Sequence, residues 1–272
     1  MHEHAGAAVE DPIAQHWDAI VPTYERFVGP IARRSVDLLL NAAGVRAGMR
    51  VLDLGTGPGY AAGRAALRGA RAIGIDISNA MLDAARRSYG QLAPLVEFRR
   101  ADAHALPFED GAFEAVVANF AFLSLSRPEA MTREAFRVLC GGGRGAWTAY
   151  DTPAQCDLMR LVCDAIDAAA PGALQPLRAA QGDDLPLSIV AAAGFEGVRL
   201  QRAPLLEVAP DAAWLWEHAL AACRPIAAVV AGLPAQDRTA VFAAFERGCE
   251  GHRTADGIVV PMSMRLVSAR KP

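Results

Sequence analysis

The chain has 272 residues, of which 53% are hydrophobic and only 7% aromatic, and its formal net charge is −3. That length suits one large domain, or a core with a smaller appendage, without disulfide or metal staples. Lys and Arg are scattered rather than striped, so no nucleic-acid partner is expected, and no stretch reaches the ~18 apolar residues of a membrane span.

Residues 12–43 carry two helical patterns, the first with Trp17, Ile20, Tyr24, Phe27 and Val28, the second with Ile31, Val36, Leu38, Leu39 and Leu40. Asn41 and Gly44 stop the second. The start, Met-His-Glu-His, lacks the basic region and apolar core of a leader, so a cytoplasmic location is expected. From residue 50 the pattern changes. Strands are expected at 50–54, 72–77, 96–100, 115–119 and 145–150, with helices at 59–68, 80–89 and 127–139 between them. This alternation predicts an α/β fold, a parallel sheet covered on both faces and doubly wound by right-handed crossovers.

The tail breaks the rhythm with a helix at 185–193, a strand at 197–206, two alanine-rich helices at 211–223 and 235–249, and a strand at 258–269. Two late strands so far apart suggest an antiparallel edge with a helical lid inserted. The expected division is 1–44 as helices covering the site and 45–272 as the main domain, with lid segments at 153–184 and 209–256. Cysteines at 140, 156, 163, 223 and 249 never show C-x-x-C spacing, and His2 and His4 lie at a terminus, so no metal is expected.

The informative stretch is Val51-Leu52-Asp53-Leu54-Gly55-Thr56-Gly57-Pro58-Gly59, where a strand gives way to a helix. Ligands of open α/β sheets bind beyond the carboxyl ends of the strands, and glycines let a ligand approach the backbone. A dinucleotide loop wants G-x-G-x-x-G, with a pyrophosphate on the helix N-terminus. Here that last position is Tyr60, and Asp53 stands two places before the first glycine, which suits a cationic ligand better than a pyrophosphate. Asp76 ends the next strand, 17 residues beyond Gly59, where a carboxylate can accept from both hydroxyls of a ribose.

Four segments in order then carry a resemblance: VLDLGTGPG, IGIDIS with Met81-Leu82, ADAHALPFEDGAFEAVVANFAF, and REAFRVLCGGGRGAW. Over Trp17 to Tyr150 the chain resembles the class I S-adenosylmethionine-dependent methyltransferases of ubiquinone and menaquinone biosynthesis. The resemblance implies a Rossmann-like, doubly wound seven-stranded sheet, mostly parallel with an antiparallel last strand. It also implies S-adenosyl-L-methionine as cofactor and S-adenosyl-L-homocysteine as product. On it, Asp53, Gly55, Thr56 and Gly57 line the methionine end and ribose, Gly59 belongs to the same cofactor-binding loop, and Asp76 binds the ribose. Ile77 and Met81 pack on the adenine, with Asp102 and Ala103 at its polar edge. Asn119 and Phe120 face the transferring methyl, and Tyr24 closes over the cofactor.

Relatives often read N-x-x-L-H-H after the fourth strand, where this chain has Asn119-Phe120-Ala121-Phe122-Leu123-Ser124. Both histidines are absent. The hinge Cys140-Gly141-Gly142-Gly143 also lacks the usual proline. No catalytic residue stands out; the candidates for a base are Asp151, His218 and His252, while His104 is expected to point to solvent. The lid, mainly Ala, Leu, Val and Trp, favours a small apolar or aromatic acceptor such as a quinone-like compound, polyketide or other secondary metabolite. A homodimer surface is the other use of that composition. Two other functions stay open: an S-adenosylmethionine-binding protein without methyl transfer, such as a cyclase, and a nicotinamide-dependent oxidoreductase.

Overall fold

The computed structural model of the protein describes residues 12–122, 127–175 and 185–272. His2, His4 and the Leu123-Ser124 pair lie outside the described residues. Strands β1 (Arg50–Leu54), β2 (Arg71–Asp76), β3 (Val96–Arg100), β4 (Phe113–Ala118) and β5 (Leu139–Tyr150) alternate with helices α3 (Tyr60–Leu67), α4 (Asn79–Tyr89) and α5 (Pro128–Val138). All five strands run parallel. The apolar runs of β1 and β4 are buried on both faces, with Val51, Leu52, Leu54 and Val116 to Ala118 fully enclosed.

Two long strands, β6 (Glu196–Ala209) and β8 (Gly257–Arg270), complete the sheet in the order β3-β2-β1-β4-β5-β8-β6. β8 lies between β5 and β6 and runs antiparallel to both. This is the expected seven-stranded, doubly wound, mostly parallel sheet. A two-residue strand, β7 (Arg253–Thr254), pairs with β8 off that path. The direction of winding reverses between β1 and β4, which makes their carboxyl ends the switch point where ligands bind.

The N-terminal segment differs from two separate helices. After α1 (Pro12–Ala19), the chain turns once at Val21–Thr23 and passes through a π-helical stretch, Tyr24–Val28, into α2 (Gly29–Ala42). Such a π-helical stretch re-aims the side chains it carries and recurs at functional sites. α1 is tied to the start of α4 by Asp18, whose Oδ1 accepts from Ser78 Oγ at 2.6 Å and Ala80 N–H at 3.0 Å.

Between β5 and β8 the chain forms α6 (Asp157–Ala169), α7 (Leu185–Ala192), α8 (Ala212–Ala222), α9 (Arg224–Gly232) and α10 (Ala235–Cys249). α6 and α9 had no counterpart in the sequence reading. α9 starts with Pro225 in its first turn, where a proline's missing N–H costs nothing, so the residue opens a helix rather than breaking one. α6 buries Leu158, Val162 and Ile166 in one core with Leu215, Val241, Phe245 and the Ile258 end of β8. Trp216 faces Phe242 and Phe245, whereas Trp214 leans on Phe27 of the π-helical stretch at 5.2 Å, so α8 is fastened to the N-terminal segment.

Candidate active site

β1 delivers its chain into a turn whose glycines 55, 57 and 59 all hold positive φ (+62°, +51° and +84°), the region only glycine enters freely. Two carboxylates shape the turn. Asp53 lies beneath it, 1% exposed, and its Oδ2 accepts from Thr56 Oγ1 at 2.6 Å and the Ala62 N–H at 3.0 Å. Its Oδ1 is buried with no partner among the described residues, and burial pushes the carboxyl up to about 7. Asp76 stands above the turn. Its Oδ2 accepts the Gly57 N–H at 2.9 Å, its Oδ1 accepts the Ser78 N–H at 3.0 Å, and burial again raises its pKa.

Above this turn opens a cavity of about 280 Å³, close to the ~300 Å³ at which small-molecule sites begin. Of the thirteen residues expected at a cofactor, ten form its wall: Tyr24, Gly55, Gly57, Asp76, Ile77, Met81, Asp102, Ala103, Asn119 and Phe120. The structure places Asp53, Thr56 and Gly59 underneath instead. Thr56 spends its hydroxyl on Asp53. A Cβ at Gly59 would meet Ala85 and the Phe98 ring at 2.8–2.9 Å, so that glycine serves helix packing. A Cβ at Gly57 would meet only Met81 Sδ at 3.9 Å and otherwise point into the cavity.

Beyond β4 the wall is set by a short network. Asn119 Nδ2 donates to the Ala32 carbonyl at 2.9 Å, while its Oδ1 accepts from Ser35 Oγ at 2.7 Å and Thr148 Oγ1 at 2.8 Å. Thr148 Oγ1 in turn accepts the Phe120 N–H at 2.9 Å. Phe120 is held at φ +56°, a left-handed conformation that costs a non-glycine residue about 1–2 kcal/mol. The strained backbone brings its ring against that of Tyr150, with centroids 4.7 Å apart.

The candidates for a base separate clearly. Asp151 has a fully buried side chain that accepts from Arg202 Nε, Ser263 Oγ and the Thr152 N–H, each at 2.9 Å, and it does not line the cavity. Its role is to brace β5 against β6 and β8. His252 lies after α10, with Nε2 4.0 Å from Asp157, and is also absent from the cavity wall. His218 is fully buried behind Tyr150. His104 corrects its expectation of facing solvent. Its side chain is 10% exposed, lies on the cavity wall and places Nδ1 2.7 Å from Asp102 Oδ1.

Tyr150, Trp17, Ile13 and Val28 also line the wall, although none is expected there from the sequence. For Tyr150 a signal existed: adjacent strand residues face opposite ways, so the rule that nominated Asp151 at the end of β5 applies to its neighbour as well.

Residues 51–143 match the family model for a methyltransferase domain. Over 114 residues the chain is 44% identical to the demethylmenaquinone methyltransferase of Thermus thermophilus, a match covering 41% of this chain and 50% of that protein. The matches span between 43% and 60% of the length of the first curated relatives. Among solved structures, the YcgJ protein of Bacillus subtilis superposes with a TM-score of 0.60 at 19% identity, covering 88% of this chain and 98% of that one. The cyclase SpnF superposes with a TM-score of 0.59 at 23% identity, covering 96% and 95%. Residues 51–143 are thus similar to a methyltransferase domain, and the chain shares its Rossmann-like fold with these solved structures. Its curated sequence relatives include methyltransferases of menaquinone and ubiquinone biosynthesis.

Proposed function

We propose that the protein transfers a methyl group from S-adenosyl-L-methionine to a small-molecule acceptor and releases S-adenosyl-L-homocysteine. The observation that carries this reading is the junction of Asp76 with the glycine turn. The carboxylate that can accept from a ribose is hydrogen-bonded to Gly57, the residue whose missing Cβ leaves the cavity open. Asp102, Ala103, Ile77 and Met81 share the same wall, which fits an adenine between apolar faces with a polar edge. When bound, the donor supplies an electrophilic methyl carbon on a sulfonium. The chain's part is alignment, which supplies up to ~7–11 kcal/mol in the best intramolecular cases.

Tyr24 and Trp17 roof the cavity, and Trp214 pins α8 to the same segment. This arrangement supports the described part of the 1–44 segment and the 209–256 segment as covering parts, whereas no described residue of the 153–184 segment lines the cavity. Phe120, Tyr150, Val28 and Ala222 make the remaining wall apolar, which supports an aromatic or quinone-like acceptor. The free cysteines support a reducing, cytoplasmic location. Leu206 and Val208, 49% and 47% exposed on edge strand β6, support a homodimer.

Titration calorimetry with S-adenosyl-L-homocysteine and separately with NADH tests the reading. Micromolar binding of the first alone is the expected outcome. Binding of NADH alone would overturn it in favour of an oxidoreductase. Tyr60, in the place of a dinucleotide loop's last glycine, is buried under Arg33 and leaves no close backbone approach there.

A further inference from the structure

Behind the cavity lies a buried file of three titratable groups that the methyl-donor reading leaves unused. Tyr150, the last residue of β5, has its hydroxyl 3.2 Å from His218 Nε2. His218 Nδ1 faces Glu207 Oε2 at 3.6 Å, and neither atom has a hydrogen-bond partner among the described residues. His218 is 0% and Glu207 3% exposed. The strand carrying Glu207 is turned against its own hydropathy: Leu206 and Val208 face outward while the carboxyl faces in. Burying a carboxyl costs several kcal/mol where a leucine in its place would cost nothing of the kind, so packing does not explain Glu207.

We infer that Glu207, His218 and Tyr150 form a proton relay at the acceptor end of the cleft. The acceptor is accordingly a hydroxylated unsaturated ring, a phenol or ring enol. This rests on the methyl-donor reading of the same cleft. As the acceptor's O–H proton passes to Tyr150 Oη, the tyrosine's own proton passes to His218 Nε2. The imidazolium formed is held against the Glu207 carboxylate, and Tyr150 is restored as a phenol. The electron pair freed on the acceptor forms the new bond to the methyl carbon, and the methyl–sulfur bond breaks with its pair on sulfur. Bonding takes place at oxygen, or at the conjugated ring carbon, which then returns its own hydrogen to the oxygen.

At rest burial lowers His218 to about 4 and keeps the Tyr150 hydroxyl protonated, so the imidazole starts neutral, and it raises Glu207 to about 7, so the carboxylate that steadies the imidazolium is present above about pH 7. Tyr24, Cys156 and Cys223 also face Tyr150, and Arg34 faces Glu207.

The test uses the full chain loaded with S-adenosyl-L-homocysteine, and 2-naphthol, whose absorbance reports its ionisation. In the wild type the midpoint of bound 2-naphthol should fall by about one pH unit or more relative to the free compound. Tyr150→Phe keeps the ring against Phe120 and His218→Asn keeps a polar side chain. Both should abolish the shift with cofactor affinity unchanged, and Glu207→Gln should shrink it. With labelled methyl donor, the wild type should methylate 2-naphthol, and Tyr150→Phe should lower kcat by about 10²–10⁴-fold with little change in KM. An unaltered shift in Tyr150→Phe, or no 2-naphthol taken up by the loaded protein, overturns the relay and its acceptor class while the methyl-donor reading stands. Failure to bind S-adenosyl-L-homocysteine overturns that reading itself.

Discussion

The two ends of the cleft are built by different means. The donor end is backbone and short-range: a glycine turn, a carboxylate under it at Asp53 and one above it at Asp76, all within 24 residues of chain and two neighbouring strands. The other end is made of side chains from β5, β6 and α8, with Tyr150, Glu207 and His218 brought together across 68 positions. Both ends bury a carboxyl that is pushed up to about 7, yet the causes of its placement differ. Asp53 holds up a turn. Glu207 faces His218, with Arg34 also near it. A family can keep the first end while rebuilding the second, because nothing in the turn's geometry depends on which groups stand at the acceptor wall.

The largest blow to the donor end should come from Gly57→Val. It fills the cavity floor and places a β-branched residue at φ +51°, so S-adenosyl-L-homocysteine binding should vanish in calorimetry. The strain costs about 1–2 kcal/mol, so the variant should stay folded by circular dichroism. Normal binding would show that the turn does not touch the ligand. Asp76→Ala should come next, weakening cofactor affinity at least about tenfold by removing hydrogen bonds to charge worth ~1.5–3 kcal/mol each. An unchanged dissociation constant would place the ribose elsewhere.

Asp53→Asn sharpens the contrast without touching the cavity. Its folded carboxyl, near 7, keeps a proton where the unfolded one, at 3.8, has lost it. This stability is therefore complete below the unfolded value and is lost as pH rises to about 7, at up to ~1.4 kcal/mol per pH unit. Melting curves across pH 4–8 should show the wild type losing stability over that window and Asp53→Asn losing less. Equal slopes would mean the carboxyl is ionised throughout. The smallest effect belongs to His252→Ala. Standing outside the cavity beside Asp157, it should move both melting temperature and turnover by amounts within ±0.5 kcal/mol. A large loss of turnover would bring the α10 end into the chemistry.

The same contrast explains what was legible in the sequence. Strands β1 to β4 and the helices between them followed from periodicity and glycine positions, because each is settled by near neighbours. Ten of the thirteen residues expected at the cofactor also line the cavity, most of them expected there from the family resemblance rather than from periodicity. Thr56 and Gly59 belong to the motif but not to the wall, since one is spent on Asp53 and the other on the Phe98 contact, and spacing cannot tell a ligand from a helix as the thing approached. His218 was legible as a lone histidine on an alanine-rich helix. Glu207 gave a subtler sign, a carboxyl between Leu206 and Val208, whose inward direction depends on the register of β6 against β8.

That register also sets an order of manufacture. β6 leaves the ribosome 48 residues before β8 begins, yet β8 is the strand it must pair with. At ~5–20 residues per second, β6 waits roughly 2–10 s without its partner. The glycine turn and its first four strands can assemble during that interval, while the pocket for the incoming carboxyl cannot. The nascent protein thus gains the means to hold a donor before it gains the wall that chooses what receives the methyl.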